Sequence, residues 1–196
     1  MENVIELKKP YIFEDEEYTS IDLSGLDGLT MQDAIDAQKE VIGNGEDQVI
    51  LYAPEASQAF LDEVAAHASG KPVEFFNAMP IAMCSKVRTA VQEAFAVKDQ
   101  AKNGVVVLDK PYGFKGETVS EIDLSGVEEL TSIDVSKAEN EVLKTGIYSV
   151  NMKNLFAYSC ALAARATGKP MEFFTGLPLH EAVKVRGTVN AASFFE

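Results

Sequence analysis

Ile21-Asp22-Leu23-Ser24-Gly25 returns unchanged as Ile122-Asp123-Leu124-Ser125-Gly126, 101 residues further along the chain. At the same spacing Lys9-Pro10-Tyr11-Ile12-Phe13 returns as Lys110-Pro111-Tyr112-Gly113-Phe114, and Leu29-Thr30 as Leu130-Thr131. Beyond these the spacing falls to 98. Gly70-Lys71-Pro72-Val73-Glu74-Phe75-Phe76 matches Gly168-Lys169-Pro170-Met171-Glu172-Phe173-Phe174, and Lys86-Val87-Arg88 matches Lys184-Val185-Arg186. Three extra residues therefore lie in the first copy, between Gly45 and Phe60. Matches kept in order along the whole chain mark a duplication, and internal self-similarity decides an architecture before anything else. The expected fold is α+β: two tandem copies of one module, residues 1–100 and 104–196, related by a pseudo-two-fold axis.

Each copy reads as a hairpin followed by three to four helices. Val4–Phe13 with Tyr18–Leu23, and Val105–Phe114 with Thr118–Leu124, are short β-like runs in which Ile21/Leu23 and Ile122/Leu124 alternate with polar residues. That alternation is what a half-buried strand requires. Lys115-Gly116 is a good turn pair, and Glu14–Glu17 reads as a looser one. Thr30-x-x-Asp33 and Thr131-x-x-Asp134 are capping-box-like helix starts. Helices run from them to about Ile42 and Leu143 and are closed by Gly45 and Gly146. A second helix carries Met152, Leu155, Phe156, Ser159, Leu162, Ala163 and Ala166 on one face, with Phe60, Leu61, Val64, Ala65 and Ala68 as its counterpart. Gly-Lys-Pro then stops one helix and starts the next. A last helix presents Ile81, Cys84, Val87, Val91 and Ala94, or Leu179, Ala182, Val185, Val189 and Ala192.

Catalytic chemistry is not legible. The sequence has no Gly-rich phosphate loop, nucleophile elbow, paired-cysteine cluster or calcium loop. His67 and His180 occupy unmatched positions, opposite Arg165 and Ala82, and form neither a triad nor a ligand set. Asp22 and Asp123, each followed by Leu-Ser-Gly, read as turn formers rather than as catalytic carboxylates. Cys84 and Cys160 sit among apolar neighbours on helical patterns and read as buried free thiols. The chain is therefore read as a non-enzyme with no cofactor and no metal. Two recurring features have a binding reading beside a plainer one. Phe75-Phe76 and Phe173-Phe174 either fill the core or edge a partner pocket. Lys86/Arg88 and Lys184/Arg186 either pair with nearby acids on a solvated helix face or orient a partner.

The 196 residues carry a net charge of −14. Residues 1–103 hold 19 acidic and 8 basic side chains, a balance of −11, and residues 104–196 hold 12 and 9, a balance of −3. Such acidity argues against nucleic acid as a partner, because phosphate backbones need a cationic surface. No apolar run reaches the roughly 20 residues of a membrane-spanning helix. Met1-Glu2-Asn3 lacks the basic start of a signal peptide, so an intracellular location is expected.

The order and spacing of these motifs resemble the tail assembly chaperones of long-tailed bacteriophages. The resemblance rests on the hairpin ending Ile-Asp-Leu-Ser-Gly and the Leu-Thr helix start. It rests equally on Ala164-Arg165-Ala166-Thr167-Gly168-Lys169-Pro170-Met171-Glu172-Phe173-Phe174, Leu177-Pro178 and Val183–Arg186. It spans nearly all of each copy and is closer in the second. It implies a protein of the host bacterial cytoplasm that holds the tape-measure protein soluble, helps recruit tail-tube protein, needs no cofactor, and has self-association open to it. The family usually carries one module per chain, so the duplication leaves stoichiometry open. A structural tail or connector subunit, and an enzyme of unrecognised type, are the alternative readings.

Overall fold

The computed structural model describes residues 3–45, 47–97, 101–149 and 151–193. Among them the chain forms two antiparallel hairpins and eight helices, an α+β arrangement. Strands β1 (Val4–Phe13) and β2 (Glu16–Asp22) precede helices α1 (Met31–Asn44), α2 (Gln58–Ser69), α3 (Val73–Asn77) and α4 (Ile81–Ala94). The C-terminal half repeats the order with β3 (Val105–Phe114), β4 (Glu117–Asp123), α5 (Ser132–Lys144), α6 (Phe156–Thr167), α7 (Met171–Thr175) and α8 (Leu179–Ser193).

Both hairpins turn over two residues with left-handed backbone, as tight hairpin turns demand. The φ values are 49° and 87° at Lys115 and Gly116, and 49° and 64° at Glu14 and Asp15. This corrects the looser turn expected at Glu14–Glu17, since Glu16 and Glu17 already belong to β2, opposite Phe13 and Ile12. Pairing is irregular between Glu6 and Tyr11, and again between Val107 and Tyr112. Pro10 and Pro111 fall in those gaps, where a residue without an N–H cannot extend the ladder. After each hairpin an aspartate fixes the exit: Asp22 accepts from Ser24 N–H at 2.8 Å, and Asp123 from Ser125 N–H at 2.9 Å. Hydrogen bonding by the backbone and hydroxyl of Ser24, and by the hydroxyl and backbone of Ser125, holds both carboxyls below the ordinary range.

Helix boundaries follow local chemistry. Asp33 accepts from the backbone N–H and hydroxyl of Thr30, each at 2.7 Å, and Asp134 does the same for Thr131 at 3.1 and 2.6 Å. Gly45, Gly70 and Gly168 adopt the left-handed conformation that closes α1, α2 and α6. The helical reading from Met152 onward is corrected at its start. Met152–Asn154 form a separate 3-10 turn, and α6 begins at Phe156. Its single buried face is also corrected, because all eight residues from Phe156 to Ala163 are buried. This helix is enclosed by α5, α7 and α8 of its own half and by α1 of the other.

The halves meet through unlike surfaces. Thr30, just before α1, forms an isolated antiparallel bridge with Pro178, just before α8. A pseudo-two-fold relation would pair their repeat counterparts, Thr131 and Pro80, as well. Among the described residues that bridge is absent. Helix α1 packs on α2 and also on α6, α7 and α8, whereas α5 packs chiefly on α6. The contact is head to tail, and the expected two-fold packing is not what joins the halves.

Candidate functional site

The internal junction is the clearest recognition surface in the chain. Met31 N–H donates to Leu177 C=O at 3.0 Å, and Leu179 N–H donates to Leu29 C=O at 2.8 Å. Met31 and Leu179 are the first residues of α1 and α8, so each donates an N–H that its own helix cannot use. Beside this bridge Gln38, fully buried, donates to Asn154 C=O at 2.9 Å and accepts from Phe156 N–H at 3.0 Å. The Asn154 amide donates in turn to Leu51 and Tyr52 carbonyls. Phe156 stacks on Phe60 with centroids 5.4 Å apart, and Arg186 lies over the Phe156 ring while pairing with Glu55. The junction thus combines an aromatic contact with largely partnered polar groups, Arg186 Nε being the buried exception, the composition of a specific interface.

The repeat counterparts of both junction surfaces are open. Leu29, Ala34, Gln38 and Phe60 correspond to Leu130, Val135, Glu139 and Tyr158. In the C-terminal half these four line a groove of about 510 Å³ with Met152 and Leu162. On the other side, Leu177-Pro178-Leu179 corresponds to Met79-Pro80-Ile81. Leu179 is 2% exposed where Ile81 is 80% exposed.

A second pair of equivalent places lies between the first strand and last helix of each half. In the C-terminal half it is sealed by charge. Lys184 Nζ lies 2.6 Å from Asp109 and 3.1 Å from Glu181 Oε2, the latter off its hydrogen-bonding directions, and Glu181 accepts from Asp109 N–H at 2.6 Å. The hydrogen bond from Lys184, reinforced by its charge, lowers the Asp109 pKa despite some desolvation. Burial alone would depress Lys184, but its hydrogen bond to Asp109 and its ion pair with Glu181 outweigh that and raise it. Asp109, His180 and Glu181 have a spacing suited to a cation. The Lys184 ammonium already compensates both carboxylates, so this donor set does not fit a metal. In the N-terminal half Lys8, Ala82, Met83 and Lys86 replace Asp109, His180, Glu181 and Lys184. There a groove of about 460 Å³ remains, floored by Leu7 and Met83 and edged by the exposed Lys8, Lys9 and Lys86, with one acid, Glu6, beside them.

The residues singled out in the sequence scatter accordingly. Phe75, Phe76, Phe173 and Phe174 are buried to 1% exposure or less, so they edge no partner pocket and belong to the core. Both rings of a pair are buried because the five-residue α3 and α7 are each covered on two sides. Tyr11, Phe13 and Tyr18 of the hairpin meet Phe75 edge-on, while α2 covers α3 from behind. Arg88 is held by Asp62 through two hydrogen bonds at 2.9 and 2.6 Å, Arg186 is held in the junction, and Lys184 in the sealed cluster. Of the four cations only Lys86 is exposed. Burial pushes the Cys84 thiol up and Cys160 up to about 12, which keeps both protonated and poorly nucleophilic. Sequence reasoning missed Gln38, Asn154, Lys8 and Lys9. Gln38 had a visible signal, since it is the one polar residue on the apolar face of α1.

No protein-family model, curated protein or solved structure matches the chain. Among the described residues no helix is long and apolar enough to cross a membrane.

Proposed function

We propose that this chain is two copies of one module and acts as a non-catalytic tail assembly chaperone of a long-tailed phage. In this reading it holds tape-measure protein, with tail-tube protein as a second client, in the host cytoplasm until the tube forms. The observation that carries the reading is the groove between β1 and α4, a basic-edged apolar trough on a chain of net charge −14. Its counterpart between β3 and α8 is sealed by its own lysine and acids, so among the described residues the trough itself stays open in the N-terminal half. An amphipathic helix with acids flanking its apolar stripe fits such a trough: Leu7 and Met83 take the apolar face while Lys8, Lys9 and Lys86 meet the acids. Exposed ion pairs add up to about 1 kcal/mol each, so the apolar floor supplies affinity and the lysines supply orientation. The remaining acidity keeps a complex with an aggregation-prone client in solution. The motif order shared with tail assembly chaperones supports the choice of client.

The test is co-expression with the tape-measure and tail-tube proteins of the same genome, followed by pull-down and a solubility assay. The expected result is retention and solubilisation of tape-measure protein, weakened by salt and by Lys8→Glu with Lys86→Glu. If neither protein is retained or made more soluble, the reading fails. Stoichiometric recovery of the chain in purified particles would favour a structural tail subunit instead.

A further inference from the structure

The junction inside the chain is heterologous, and such a contact between repeated units leaves one unused surface of each kind. The accepting end is Leu130-Thr131-Ser132 with its groove, the counterpart of the surface that α1 turns toward the C-terminal half. The inserting end is Met79-Pro80-Ile81 at the start of α4, the counterpart of Leu177-Pro178-Leu179. We infer that these ends join between molecules, so that copies of this chain associate head to tail by repeating the internal junction.

Four observations carry this. First, the internal junction shows that one module's surface accepts the corresponding segment of the next, through the two backbone bonds that make the Thr30–Pro178 bridge. Second, the backbone groups that would repeat those bonds have no partner among the described residues: Ser132 N–H and Ile81 N–H, first in their helices, and the carbonyls of Leu130 and Met79. Third, Ile81, whose counterpart Leu179 is buried, stands 80% exposed. Fourth, the groove of about 510 Å³ lies where Leu29, Ala34, Gln38 and Phe60 of the other half are covered. A second copy is the occupant because it carries the one segment already shown to fit, an apolar-Pro-apolar helix start.

Both open faces are more polar than their templates. On the accepting side Ser132, Ser136 and Glu139 stand where α1 has Met31, Ile35 and Gln38, and on the inserting side Gln58 stands where α6 has Phe156. Less apolar surface is buried, so the intermolecular contact is weaker than the internal one and reversible. Both partners carry a charge of −14, so screening by salt strengthens association. Because the contact is heterologous, repetition gives an open filament or a closed ring rather than a sealed dimer.

The experiment is sedimentation equilibrium of the full chain over a wide concentration range, in low and high salt, with Ile81→Asp and Val135→Lys as variants. The expected result is a mass that rises with concentration and salt, with each variant weakening association about tenfold or more, since a charge is desolvated without a partner. Ile81 is exposed in the single chain, so its variant keeps the parent's melting temperature. A second measurement uses geometry. Antiparallel partners lie about 4.5–5.5 Å apart at Cα, within the span of a disulfide. A Thr131→Cys chain mixed with a Pro80→Cys chain should therefore give the mixed disulfide in excess of either homodimer. A monomer at all concentrations and salts, or association indifferent to both variants with no preference for the mixed disulfide, overturns the inference.

Discussion

Helices α1 and α5 start from the same capping box, occupy the same place in their halves, and have different surroundings. Helix α1 buries Met31, Ala34, Ile35, Ala37, Gln38 and Val41, and α5 buries Ala138 and Val142. The shared pair, Ala37/Val41 and Ala138/Val142, faces the helix each packs on inside its own half. The other four positions of α1 are buried because the C-terminal half lies on them. Their counterparts are Ser132, Val135, Ser136 and Glu139. Local sequence therefore specifies the helix, while the docked neighbour specifies how much of it is core.

The sharpest way to break this comparison is at the ring that crosses the junction. Phe156→Ala should cost about 4 kcal/mol, the usual range for a buried phenylalanine, while Gln58→Ala, its counterpart, should stay within about 0.5 kcal/mol. Urea unfolding of the two variants decides it, and equal losses would show that the halves are not differently loaded. Next in size is a close approach. A Cβ at Gly25 would meet Ala68 C=O at 2.0 Å, whereas one at Gly126 would meet Ala166 C=O at 2.8 Å. Gly25→Ala should cost about 3 kcal/mol and Gly126→Ala about 1–2, within the range for overpacking. Chemical denaturation reads both, and a larger loss at Gly126 would reverse the order.

The two strand–helix sites give the third contrast. Lys184→Met leaves Glu181, 2% exposed, without its ammonium, and should cost about 2–3 kcal/mol once the exposure of Asp109 is discounted. Lys86→Met should stay within about 0.5 kcal/mol. The pH dependence has a sign. The Asp109 pKa is lowered on folding, so its contribution is present above the ordinary carboxylate range and lost as pH falls through the lowered value. The Lys184 pKa is raised, so its contribution is present below the ordinary lysine range and lost as pH rises through the raised value. Melting temperature against pH should fall at both ends in the parent and lose these two components in Lys184→Met. Fourth, Gln38→Ala strands Phe156 N–H in the junction and should cost about 1–2 kcal/mol, against nearly nothing for Glu139→Ala in thermal melts. Smallest is the turn. Asp15→Gly relieves a left-handed aspartate with φ of 64° and should stabilise by about 0.5 kcal/mol, a gain unavailable where Gly116 already stands.

What the sequence made legible was local. Strand alternation, the Thr-x-x-Asp starts and the glycine stops are set by neighbours within a few residues, and they fell within two residues of the observed boundaries. The mode of joining was not legible, because a repeat says that two units are alike and nothing about which surfaces meet. The Phe-Phe pairs misled because adjacent residues on a helix normally diverge, whereas α3 and α7 are short enough to be covered on both sides. The two Lys-Val-Arg motifs looked equivalent. They differ because Asp109 and Glu181 in one half replace Lys8 and Met83 in the other; Glu181 and Met83 lie three residues from their lysines and were in view, whereas Asp109 and Lys8 are long-range neighbours that no short window contains.

The junction also imposes an order on synthesis. Helix α1 packs on α6, α7 and α8 of the late half, and on its face Met31 bonds Leu177 and Gln38 bonds Asn154 and Phe156. A ribosome adding about 5–20 residues per second needs several seconds to make those helices after α1 has emerged. Through that interval the nascent N-terminal half carries an unfinished apolar stripe, which it cannot close by itself. Completing the early half is thus a task for the late half, and a chain cut short after α4 would enter the cell with that stripe still bare.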